Sequence, residues 1–226
     1  MIDVFAHRGF HRTERENTLA SFKAAVALGV DGVELDVRRT GDGLLVVHHD
    51  PAVGPLEIAQ NVRSALPEYV PTLEEALESL DGVRVNVEIK NGRGVAERYD
   101  ETAEFARQVL GTIAASGWTD RAAISCFDVK TCAFVRSMDH AVSVAWLLWD
   151  VAVGEALIQA HVLGFNAVNP HFTTVDEEVV ERARELQLDV NVWTVNARED
   201  LERMANLGVA CVITDEPELA LEVVAQ

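Results

Sequence analysis

Basic residues are scarce in this chain: 19 Lys and Arg stand against 37 Asp and Glu, for a net charge of -18. A charge of that sign opposes a nucleic-acid backbone or an anionic membrane as partner, while leaving room for a local basic pocket. Cysteine is sparse as well. Cys126, Cys132 and Cys211 are odd in number and form no CxxC pair, which argues against a disulfide scaffold or a zinc knuckle; Cys126 and Cys211 sit in apolar runs and read as small core residues. No uninterrupted apolar stretch reaches spanning length, and MIDVFAHRG lacks the basic and apolar regions of a secretion signal. The expectation is a cytoplasmic protein with no stable membrane insertion. Gly-rich phosphate loops are missing too: HRGFH holds one glycine, and no GxxxxGK[ST] occurs. With no Gly/Ser linker or charged tract to divide it, the chain is expected to form one domain over residues 1–226.

What is present is a regular alternation. Hydrophobic residues make up 49% of 226 positions, enough for one sizeable core. Period-two runs predict strands at 2–6, 33–37, 83–90, 122–127, 142–148, 166–170, 189–195 and 211–214. Between them, period-3.6 patterns predict helices, the first carrying Leu19, Phe22, Ala25 and Val26 behind a cap at Asn17 or Thr18 and ending at Gly29. Thr72 and Glu75 form a capping box for a helix over LEEALESL, and further helices are expected at about 95–115, 128–138, 151–162, 175–187, 197–206 and 217–225. A turn at 40–43 returns the chain along 44–48 as a hairpin arm. Residues 51–71, with four prolines, read as a loop with one helical turn. Eight βα units in this length predict a (β/α)8 barrel, with a short loop at 51–71, rather than a doubly wound sheet.

Barrel sites lie at the carboxyl ends of the strands, and the first three strands end in a dense set of charged groups. In VELDV, Glu34 and Asp36 share one face while Val33, Leu35 and Val37 take the other. Asn86, Glu88 and Lys90 share a face of the next strand. Three converging acids suit a hard divalent cation, Mg²⁺ or Ca²⁺; the plainer reading is a salt-bridged plug neutralised by Arg8, Arg38 or Lys90. His7 and His49 stand at strand ends within this cluster, and imidazoles can take and give a proton near neutrality. Such a pair beside a metal suits in-line displacement at phosphorus, with Arg8 and Lys90 on the non-bridging oxygens. His48 points to the other side of its strand and reads as packing. Trp193 either walls a small polyol or fills the barrel. Asn17 either reaches the site or caps its helix, and His171 either lines the pocket or is simply exposed. Trp146 and Trp149 read as core or as an apolar rim, Asp215 as a cap for the last helix, and His11 and His140 carry no functional signal.

His7-Arg8-Gly9, Glu16-Asn17-Thr18, Glu34-Leu35-Asp36, His49-Asp50, Pro71-Thr72-Leu73-Glu74-Glu75, Glu88-Ile89-Lys90, Trp193-Thr194-Val195-Asn196 and Thr214-Asp215-Glu216-Pro217 resemble, in order, the motifs of the glycerophosphodiester phosphodiesterase family. The resemblance implies a (β/α)8 barrel that hydrolyses small glycerophosphodiesters to sn-glycerol 3-phosphate and an alcohol. It implies a divalent cation, Mg²⁺ or Ca²⁺, on Glu34, Asp36 and Glu88, an acid–base pair in His7 and His49, phosphate contacts from Arg8 and Lys90, and an aromatic Trp193 near the glycerol. The chain departs from the family in one place: the segment after His49-Asp50 is short and lacks the Arg-Thr-Thr stretch that often opens a cap insertion. An open site of that kind bears on substrate choice and keeps in view a lysophospholipase D or sphingomyelinase D-like enzyme. A catalytically idle barrel that binds a phosphoester is the alternative outside enzymes, and a metal-free sugar-phosphate isomerase is disfavoured by the absence of a Gly-rich turn after strands 7 and 8. The sequence marks no dimer face.

Overall fold

Alternation in VELDV sends three apolar side chains to one face of the strand and two carboxylates to the other, and the fold satisfies both faces by closing the sheet on itself. The structure, a computed structural model, describes residues 2–91 and 100–225. Eight parallel strands, β1 (Asp3–His7), β2 (Gly32–Arg39), β3 (Arg84–Ile89), β4 (Ala122–Cys126), β5 (Ser143–Leu148), β6 (Ala167–Pro170), β7 (Asp189–Val192) and β8 (Cys211–Thr214), pair in chain order. β8 closes onto β1, with Asp3 opposite Cys211 and Ala6 opposite Thr214. The helices between them are α1 (Leu19–Leu28), α2 (Leu73–Glu78), α3 (Glu104–Ala115), α4 (Val129–Met138), α5 (Val153–Val162), α6 (Glu177–Glu185), α7 (Arg198–Leu207) and α8 (Pro217–Val224). This is the (β/α)8 barrel expected from the alternation.

The main core lies between strands and helices. Val4, Leu35, Val87, Ile124, Val144, Val168, Val190 and Val212 are all buried in it, one from each strand. Inside the barrel a much smaller apolar cluster, Phe5, Cys211 and Ile213 with Trp193 packed against it, occupies one side. The two sides of each strand therefore separate the fold-forming residues from those that carry charge.

Local caps fall where side-chain chemistry favours them. Thr72 and Glu75 form the predicted capping box, and Thr18 caps α1 with Ser21, which frees Asn17 for another role. Differences are confined to ends and connections. β7 stops at Val192, short of the expected 195. α3 begins at Glu104, where Asp100 accepts from the backbone N–H of Thr102 at 2.9 Å and of Phe105 at 2.6 Å; residues 95–99 of the helix expected there lie outside the described residues. Leu45–Val47 runs antiparallel to β2 as the predicted arm. Beyond it, 51–71 is more ordered than a loop with one turn. Ala52–Val53 pairs with Leu56–Glu57, two 3-10 turns follow at Ile58–Gln60 and Arg63–Ala65, and Val46, Val53, Ile58, Leu66 and Val70 give the segment a core of its own.

One glycine controls how β1 hands over to α1. Gly9 has φ +82, and a Cβ there would stand 2.5 Å from Ser21 Oγ and 2.8 Å from the Ser21 carbonyl carbon. Gly9→Ala is expected to destabilise the protein by at least about 1 kcal/mol, read as a lowered melting midpoint by circular dichroism; an unchanged midpoint would mean that the loop moves without cost.

Candidate active site

The register of β2 against β3 places Asp36 opposite Glu88 and Glu34 opposite Asn86, and β1 brings His7 opposite Glu34. Glu34, Asp36 and Glu88 are buried and offer oxygens that lie within 4.8 Å of one another. Two cations meet them. Lys90 Nζ stands 2.8 Å from Asp36 and 2.6 Å from Glu88, and the Arg8 guanidinium lies 3.2 Å from Asp36 while also reaching Glu16 at 3.0 Å. Asn17 donates to Asp36 at 2.7 Å and accepts from its backbone N–H. Arg8 and Asn17 both hold left-handed backbone conformations, φ 56 and 53, and local strain of this kind gathers at functional sites. Arg38 donates to the carbonyl of His49.

A plug of paired charges therefore accounts for two of the acids. Glu34 is the exception: its Oε2 accepts from the Arg8 backbone N–H at 3.2 Å, while its buried Oε1 has no hydrogen-bond partner among the described residues. Burial first, then the charges of Asp36 and Glu88, push the Glu34 carboxyl well above the usual range against the pull of Lys90 and Arg8. Burial also raises Glu88, with Lys90 opposing. For Asp36 burial works the same way, but Lys90, Arg8 and His49 outweigh it and hold the carboxyl below its ordinary value. Lys90 is disfavoured as a cation by burial, yet Glu88 and Asp36 raise its pKa on balance. An unpartnered carboxylate oxygen beside two further carboxylates is a donor set that fits a hard cation.

His7 Nε2 faces this layer, 3.9 Å from Glu34 Oε2. Its Nδ1 lies 2.7 Å from Asp215 Oδ1, and His11 Nε2 reaches the same oxygen at 3.0 Å. Asn196 donates to the other oxygen of Asp215 at 2.7 Å. Burial opposes the charge on Asp215, but the hydrogen bonds from His11 and His7 outweigh it and hold the carboxyl far below the usual range; the bond to Asp215 likewise raises His11. His49 pairs through Nδ1 with Asp50 at 2.9 Å, and burial followed by the Lys90 charge lowers its pKa. His48 points away and its Nε2 meets the Ala52 carbonyl at 3.3 Å.

His7, Arg8, Glu34, His49, Glu88, Lys90 and Trp193 line one cavity of about 130 Å³. A second, of about 520 Å³, opens beside it and shares His49, Glu88, Lys90 and Phe127; its far side carries Pro51, Ile89 and Trp149. Neither Asp36 nor Asn17 is among the residues lining these two cavities. Trp193 donates from Nε1 to the Asn169 carbonyl at 2.7 Å and meets the rings of Phe127, Trp149 and His171 at centroid distances of 5.6, 5.8 and 5.5 Å. His171 bonds Thr173 at 2.8 Å and stands beside Trp193 rather than among the cavity-lining residues. Trp146 is core, and Trp149 is 60% exposed on the rim.

The model of the glycerophosphoryl diester phosphodiesterase family matches residues 7–57 and 56–219. A glycerophosphodiester phosphodiesterase of Caldanaerobacter subterraneus subsp. tengcongensis is 31% identical over 242 aligned positions, covering 98% of this chain and 97% of that protein; one from Bacillus altitudinis is 27% identical, covering 99% and 98%. Among solved structures, a glycerophosphodiester phosphodiesterase from Parabacteroides distasonis superposes with a TM-score of 0.89 at 25% identity, over 99% of this chain and 97% of that one. An Oleispira antarctica phosphodiesterase in complex with sn-glycerol-3-phosphate gives 0.87 at 22%, over 99% and 97%. The chain belongs to the glycerophosphoryl diester phosphodiesterase family. It is a phosphoric diester hydrolase.

Sequence reasoning missed Asp215 and His11. Asp215 precedes Glu216-Pro217 and resembles a helix cap, but Glu216 occupies the cap position and Asp215 turns inward to His7. A carboxylate at the end of the last strand of a barrel, next to the first strand, is the signal that was available. Asp215→Asn is expected to lower kcat by up to about 10²-fold, the lower end of what a positioned acid or base contributes, and to shift the pH profile with little change in KM. An unaltered profile would make Asp215 a surface contact only.

Proposed function

We propose that this enzyme hydrolyses small glycerophosphodiesters, such as glycerophosphocholine, to sn-glycerol 3-phosphate and an alcohol, with His7 and His49 as its acid–base pair. The observation that carries the reading is the meeting of two histidine rings, two cations and an acid with an unpartnered oxygen around one cavity of about 130 Å³. Glu34, Asp36 and Glu88 would hold a divalent cation, Mg²⁺ or Ca²⁺, whose chemistry there is to offset charge on the phosphoryl oxygens.

The side chains divide the remaining work. Lys90 and Arg8 supply donors to non-bridging oxygens, Arg8 kept in place by Asp36 and Glu16. His49, with its lowered pKa, is neutral near pH 7 and takes the proton of the attacking hydroxyl; attack by water gives glycerol 3-phosphate directly, and attack by the glycerol 2-hydroxyl gives a cyclic phosphate that water then opens. His7, fixed through Nδ1 by Asp215, keeps Nε2 toward the cavity and gives a proton to the leaving oxygen as the P–O bond breaks. Trp193 walls the side where the glycerol sits. Three buried free thiols accord with work in the reducing cytoplasm.

The larger cavity supports a second substrate in the same reaction. Its apolar wall of Phe127, Ile89 and Trp149 suits the acyl chain of a lysophospholipid, whose acylglycerol would keep the phosphate while the headgroup alcohol leaves, as in a lysophospholipase D.

Release of glycerol 3-phosphate from glycerophosphocholine, with EDTA and after return of Mg²⁺ or Ca²⁺, tests the main reading beside a parallel run on lysophosphatidylcholine. EDTA-sensitive release from the soluble diester is expected, and activity on the lysolipid alone would transfer the assignment to it. Glu34→Gln is expected to weaken Mg²⁺ binding in calorimetry as well as rate; an unchanged titration would return Glu34 to the role of a plug. Because the neutral form of His49 is favoured, the acid limb of kcat/KM is expected below about pH 6.5, the ordinary histidine value. His49→Ala should remove that limb and lower turnover by ~10²–10⁴-fold, and a limb above 6.5 would take His49 out of the base role.

A further inference from the structure

Beneath the acid layer, one side of the barrel is lined by small side chains. Ala123, Ser143, Ala145 and Ala167 face a cavity of about 170 Å³ at the amino-terminal mouth, rimmed by an ion pair of Asp3 and Arg84 at 2.7 Å. A barrel interior is ordinarily filled by layers of bulky branched residues. This one instead presents polar groups that have no hydrogen-bond partner among the described residues: both amide atoms of Asn86, Nδ2 of Asn169 and Oγ of Ser125. The three residues are 4%, 1% and 0% exposed. Asn169 Oδ1 accepts from Asn191 at 3.0 Å, which leaves its amide nitrogen directed elsewhere. Ser125 stands in register with Glu88 and Ala145. Asn86 and Ile213 line both this cavity and the catalytic one, so the two spaces meet at that pair.

Buried amides and hydroxyls are rarely left unpaired, and a polar cavity takes water where each molecule finds roughly two to four partners and about 30 Å³ of space. We propose that the barrel holds a file of ordered water that joins its amino-terminal mouth to the floor of the catalytic pocket. With a diester bound in the smaller cavity, this file supplies water to the site from below, emerging at Asn86 beside Glu34. The supply role rests on the phosphodiesterase reading; occupancy by water does not.

Nuclear Overhauser contacts between long-lived water and the side-chain amide protons of Asn86 and Asn169, in the whole ¹⁵N-labelled enzyme, test occupancy. Cross-peaks to both amides are expected, and their absence overturns the proposal. Ala145→Leu, or Ala123→Val should the first not fold, grows a side chain into the file. In such a variant kcat on glycerophosphocholine is expected to fall about tenfold, a barrier increase of about 1.4 kcal/mol, with KM and the calorimetric Mg²⁺ affinity retained. Wild-type kcat in a variant that has lost its water cross-peaks overturns the supply role. An unaltered enzyme that shows the cross-peaks but cleaves no diester keeps the water file, and refutes the phosphodiesterase reading together with the supply role.

Discussion

A single buried carboxylate, Asp36, governs the arrangement of the catalytic mouth. An ionised acid in a barrel interior is tolerable only when paired and hydrogen-bonded, and Asp36 draws its partners from two connections: Arg8 and Asn17 from the two ends of the loop between β1 and α1, and Lys90 from the residue after β3. Each of these is fixed by the demand of the same charge. Arg8 and Asn17 accept left-handed backbone to reach it. With both cations committed to Asp36 and Glu88, Glu34 is the acid left over in the layer of three.

This division of charge explains which parts of the site were legible in the sequence. Glu34 and Asp36 alternate with Val33, Leu35 and Val37, so their common face follows from the pleat alone, and Glu88 is aligned with them by strands that are neighbours in the chain. The Thr72 and Glu75 cap is equally local. Asp215 was illegible because its meaning lies in His7, 208 positions away, and a local reading of an acid before a proline returns a helix start. Asn17 was left open for a related reason: two adjacent residues were competent caps, and only the path of the loop assigns Thr18 to the helix and Asn17 to Asp36. The segment 51–71 showed its prolines but concealed a small core, since Val46, Val53, Ile58, Leu66 and Val70 follow no single period.

The same alternation that makes the outer layer a packed core leaves the inner face free to vary. Valines and leucines crowd the strand faces that meet the helices, whereas the inner faces of β4, β5 and β6 carry alanine and serine. Stability thus resides mostly outside the strands, and the inside is available for solvent and chemistry.

The pairing of His7 with Asp215 joins the end of the first barrel strand to the end of the last. On the ribosome the histidine emerges 208 positions before the carboxylate, so the His7 ring meets this partner only when the barrel is shut. The orientation of His7 is therefore a readout of barrel closure: a fragment that ends before the eighth strand retains the acids, the cations and both histidines, yet lacks the carboxylate that meets the first of them.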